Sequence, residues 1–78
     1  MQPTRSNVES LDLATLLALA ERIAVERADG HFTLMRFTTG WKCMLGTPDL
    51  DGDGRGEVVK LPTFQSAREA LTAFIVAR

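Results

Sequence analysis

At 78 residues the chain has room for one small domain, which buries a smaller fraction of its surface than a larger one does. A composition 45% hydrophobic and 24% charged excludes a disordered tail, and the single cysteine, Cys43, excludes an internal disulfide. The net charge is −1 and the nine basic residues are never adjacent, which excludes the clustered cationic surface that nucleic-acid binders use. We therefore expect one domain over residues 1–78 with no nucleic acid as partner. No Cys/His cluster is present to hold zinc, and a lone cysteine fits a reducing compartment.

Residues 1–6 read as a frayed lead-in without the apolar core of a signal peptide. The longest apolar stretch, residues 11–20, is broken by Asp12 and Thr15 and is too short for a bilayer. Together these features point to a cytoplasmic protein. A first helix should start near Ser6, where Ser6-Asn7-Val8-Glu9 has capping-box spacing, or near Ser10, with Asp12 as an acid in the first turn. Leu13, Leu16, Leu17, Ala20, Ile23, Ala24 and Arg27 fall along one stripe, and Gly30 marks the stop. Leu11, Leu19 and Val25 lie off that stripe, so the apolar face is wider than one packing partner requires.

From His31 the period becomes that of strands. Residues 31–38 and 41–47 form a predicted hairpin about Thr39-Gly40, pairing Thr38 with Trp41, Arg36 with Cys43 and Leu34 with Leu45. One sheet face then carries Phe32, Leu34, Trp41 and Leu45, and the other Thr33, Met35, Phe37, Lys42 and Met44. An acidic, glycine-rich loop follows, and residues 57–61 read as a third strand ended by Pro62. Thr63 is the predicted N-cap of a last helix with Phe64, Ala67, Ala70, Leu71, Phe74 and Ile75 along one stripe. The expected fold is α+β: an α-β-β-β-α chain with two helices on one face of a three-stranded antiparallel sheet, burying Leu16, Ile23, Leu34, Trp41, Leu71 and Phe74.

In that arrangement the second sheet face stays uncovered, and Met35, Phe37 and Met44 on it form a candidate partner interface. Self-association into a homodimer is its simplest form, through that face or through the off-stripe side of the first helix. His31, the single histidine, has no second base or nucleophile that can be named beside it, and the chain reads as a non-enzyme.

The loop Asp49-Leu50-Asp51-Gly52-Asp53-Gly54-Arg55-Gly56-Glu57 is the strongest local motif. Carboxylates at alternating positions can converge on one hard cation, which takes six to eight oxygens when it is calcium. Alternatively, Asp and Gly are simply residues that turn a chain and stay wet. The nine residues resemble the calcium loops of integrin-type FG-GAP repeats, with Asp49, Asp51, Asp53, Gly54 and Glu57 matching and Val58-Val59 standing for the strand that follows. That resemblance implies calcium held by side chains of Asp49, Asp51, Asp53 and Glu57 and by the carbonyl of Arg55. The first half also resembles an EF-hand loop, but Lys60 stands where its closing glutamate belongs.

The α-β-β-β-α order resembles that of double-stranded RNA-binding domains, without their lysine cluster at the start of the last helix. The layout further resembles small bacterial and prophage proteins of accessory or inhibitor type, anti-CRISPRs among them. The expectation that results is a small module that binds another protein through an apolar surface. A calcium-binding module is the alternative, and an RNA-binding-like domain without its basic site comes third.

Overall fold

The computed structural model describes residues 7–8, 10–49, 52 and 54–77. Helix α1 (Leu13–Arg27) starts where the Asp12 side chain accepts the Thr15 N–H at 2.8 Å. Asp12, expected in the first turn, is thus the cap itself, and the Ser10 hydroxyl instead donates to the Asn7 carbonyl at 2.8 Å. At the other end the N–H groups of Ala28 and Gly30 both donate to the Ala24 carbonyl, at 2.7 and 2.9 Å, and the chain reverses. Leu16, Ala20 and Ala24 are buried and Leu19 and Ile23 pack beside the core, whereas Leu13 and Leu17 stay 43% and 38% exposed. The buried stripe is therefore rotated from the expected one towards Leu19.

Strands β1 (Phe32–Phe37) and β2 (Gly40–Leu45) form an antiparallel hairpin. Its turn is Thr38-Thr39, one residue earlier than predicted, so Arg36 pairs with Trp41, Leu34 with Cys43 and Phe32 with Leu45. Moving the turn by one residue moves each partner by two, which leaves every side chain on its expected face. Gly40 belongs to β2 for a steric reason. A Cβ on it would lie 2.3 Å from the Phe64 carbonyl oxygen, and its φ of +142° is one that L side chains rarely adopt.

The expected third strand is not formed. Residues 54–60 are a helix, α2 (Gly54–Lys60), and the sheet among the described residues has two strands. Among the described residues only Phe64 continues it, through one antiparallel bridge: Trp41 N–H to Phe64 O at 2.7 Å and Phe64 N–H to Trp41 O at 2.8 Å. Phe64 and Thr63 accordingly lie outside the last helix, α3 (Ala67–Val76). Its cap is Ser66, whose hydroxyl accepts the Glu69 N–H at 3.1 Å while the Glu69 carboxylate accepts the Gln65 N–H at 3.2 Å. The order is α-β-β-α-α, still of the α+β class, and it is not the order of a double-stranded RNA-binding domain.

The core is Val8, Leu16 and Ala20 against Leu71, Phe74 and Ile75, with Phe32, Leu34, Cys43 and Leu45 of the hairpin beside them. The Phe32 and Phe74 rings meet at 6.0 Å between centroids. Each fully buried Leu or Ile here stabilises the fold by roughly 1.5–3 kcal/mol relative to exposure. The Arg68 guanidinium donates to the Leu11 carbonyl, tying the start of α3 to the approach to α1. Trp41, expected in the core, is only half-buried, with the Arg36 guanidinium 5.8 Å above its ring. Helices α1 and α3 pack on one face of the hairpin; on the other, the Lys42 ammonium reaches the Val58 carbonyl of α2 while Phe37 stays 41% exposed. No described helix is long and apolar enough to cross a membrane.

Candidate functional site

The second face is organised by Lys42. A lysine there would ordinarily keep its ammonium in water. Lys42 is instead buried, and its Nζ donates to the carbonyls of Val58 at 2.8 Å and Val59 at 3.4 Å. These are carbonyls of the last turn of α2, which have no N–H donor within the helix. The Leu61 N–H also reaches the Val58 carbonyl, at 3.2 Å. The ammonium lies 5.8 Å from the centre of the Phe37 ring as well. One side chain thus joins β2, the C-terminus of α2 and the exposed end of β1.

Between α2 and β1 runs an open groove of about 680 Å³, lined by Met35, Arg36, Phe37, Arg55, Val58 and Val59. Arg55, Val58 and Val59 stand at i, i+3 and i+4 and so share one side of α2. Val58 is buried, while Val59 is 76% and Phe37 41% exposed. The charged lining residues, Arg36 and Arg55, are both cationic.

Two of the three expected interface residues, Met35 and Phe37, line this groove. Met44 shares their face and is half-buried, but it stands opposite Thr33, outside the lining. Val58 and Val59 were missed as groove residues because they read as strand. The available signal was Lys42 itself, a cation amid the apolar residues of that face.

Of the expected calcium ligands, Asp51 and Asp53 lie outside the described residues. Asp49 is exposed, and its carbonyl accepts the N–H groups of Gly52 at 3.1 Å and Gly54 at 2.9 Å. Gly54 packs directly on it: a Cβ there would sit 2.4 Å from both the Asp49 nitrogen and carbonyl oxygen. Arg55 and Glu57 belong to α2, where a helical carbonyl at position 55 points along the axis to residue 59. Val58 and Val59, which open a strand in FG-GAP-type loops, are helical too. Among the described residues, no three His, Cys, Asp or Glu side chains gather as a metal site.

His31 is exposed at the junction of α1 and β1, and Cys43 is half-buried on the core side of β2. What this geometry defines is a small α+β domain with an apolar groove under a cationic rim. Comparison with family models, with curated proteins and with solved structures finds no match.

Proposed function

We infer that this chain works without catalysis of its own, as a small accessory module of the bacterial or prophage kind that binds another protein in the cytoplasm. The groove between β1 and α2 is its binding surface. The observation that carries this reading is the exposure of Phe37 and Val59 on either side of a concave, apolar floor formed by Met35 and Val58. Exposed apolar surface costs solvation free energy, and contiguous patches of it characterise contact surfaces. Methionine on such a floor adapts to different partners.

The test is a ¹H–¹⁵N correlation spectrum titrated with 1-anilinonaphthalene-8-sulfonate, recorded at two protein concentrations. The reading expects the dye to shift the cross-peaks of Met35, Phe37, Val58 and Val59. A protein that binds no dye and stays monomeric, or one whose dye response falls on Leu13, Leu17 and Val25, would overturn it.

A further inference from the structure

We propose that the groove takes an extended segment of a partner protein that adds as a strand to the outer edge of β1, with a carboxylate across from Arg36 and apolar side chains on either side of it. This rests on the reading of the groove as a protein-binding surface and names the chemistry of the partner.

The hydrogen-bonding phase of the hairpin shows which backbone groups are on offer. The Gly46 N–H donates to the His31 carbonyl at 2.8 Å, and Trp41 directs both its backbone groups away from β1 to Phe64. Bonded and non-bonded pairs alternate in an antiparallel ladder. Thr33, Met35 and Phe37 therefore turn their backbone groups to β2, while Phe32, Leu34 and Arg36 turn theirs to the outer edge. Among the described residues no backbone group bonds to that edge, and β1 has β2 as its one neighbour.

Side-chain directions then dictate the pattern that fits. Arg36 has its guanidinium over Trp41, on the face opposite Met35 and Phe37, and still borders the groove at the strand edge. On an added strand, the residue opposite Arg36 points to the Arg36 face. Its two neighbours point the other way, into the groove of Met35, Phe37, Val58 and Val59. A carboxylate opposite Arg36 flanked by apolar residues satisfies both faces, and Arg55 at the rim adds a second cation for a further acid. A second copy is a poorer occupant. Residues 32–37 contain no acid to set against Arg36, and an isologous contact would bring the arginines of both copies to one seam.

The experiment selects linear peptides from a phage-displayed random library on the intact protein, then titrates the synthesised peptides into the labelled protein. The expected peptides alternate apolar and acidic residues, shift the amide cross-peaks of Leu34 and Arg36, and lose binding when alternate peptide nitrogens are methylated. Arg36→Glu, with its fold checked by the same spectrum, should weaken them about tenfold. Peptides without acids that leave Leu34 and Arg36 unshifted, yet are lost in Val59→Asp, would overturn the strand-addition proposal and leave the groove as a binding surface. Recovery of no peptide, or of peptides indifferent to both substitutions, would overturn both. Self-association of the free protein with shifts at Leu34 and Arg36 would assign the edge to a second copy.

Discussion

Replacing Lys42 by methionine keeps an unbranched apolar stem, one atom shorter, and removes the charge and donors. In the native chain the ammonium makes one good hydrogen bond, 2.8 Å to the Val58 carbonyl, and one long one, 3.4 Å to Val59. A hydrogen bond to a charged group contributes about 1.5–3 kcal/mol net, and the contact with the Phe37 ring about 0.5–1 kcal/mol more. Two effects reduce the loss. The Val58 carbonyl keeps the Leu61 N–H at 3.2 Å, and methionine no longer holds an ammonium out of water. The balance is a destabilisation of about 1.5 kcal/mol, which for a domain of this size lowers Tm by roughly 6–12 °C. Thermal denaturation followed by circular dichroism reads the shift, and ¹H–¹⁵N spectra of the variant should change most over residues 58–61. A Lys42→Met protein as stable as the parent, with those resonances unmoved, would refute the role given to Lys42 in holding α2.

The glycines of α2 make opposite predictions. Gly56→Ala has open space around the new methyl and should stabilise the helix by about 0.5–1 kcal/mol, raising Tm, whereas Gly54→Ala drives a Cβ into the Asp49 backbone and should lower it. Gly40→Ala must relieve both a positive φ and a Cβ within 2.3 Å of the Phe64 carbonyl, so urea denaturation should show a loss of about 2–4 kcal/mol. The Asp12 carboxyl is held below the usual aspartate range, mainly by its hydrogen bonds with Thr15 and then by the nearby charge of Arg68. A depressed folded-state value means that the carboxylate favours folding above the ordinary aspartate range and that this contribution drains away as pH falls through the folded value. Asp12→Ala should therefore lower Tm at neutral pH and flatten the acid limb of the Tm–pH profile.

Much of the secondary structure was legible because it follows from local rules. The long helices announce themselves by periodic leucine and alanine, and the hairpin by alternation about the Thr38–Gly40 segment. Even the misplaced turn preserved the two sheet faces, since a one-residue move of the turn changes every pairing by an even number. The cap of α3 was misjudged because Thr63 and Ser66 are both good caps; the bridge from Phe64 to Trp41 keeps Phe64 out of the helix and leaves Ser66 as the choice.

The third strand failed for a different reason. Val58-Val59 and two glycines argue against a helix by propensity alone, and tertiary context overrode it. Gly54 is there for its close approach to Asp49, Val58 is buried, and Lys42 caps the last turn. The Asp49 approach is local in sequence, but the contact from Lys42 reaches across 16 residues and has no local signature. The groove was half legible: Met35 and Phe37 follow from strand alternation, but the groove they line also needs α2 beside them.

That dependence picks out the deciding experiment, a ¹³C,¹⁵N-labelled spectrum giving Cα shifts and NOEs for residues 54–60. Helical Cα shifts, with NOEs from the Lys42 ε-methylene to Val58 and Val59, are the expected result and place α2 against the outer face with the groove open at β1. Extended-type shifts, with backbone NOEs from Val58 and Val59 to a hairpin strand, would restore a third strand and remove the groove on which the proposed function stands.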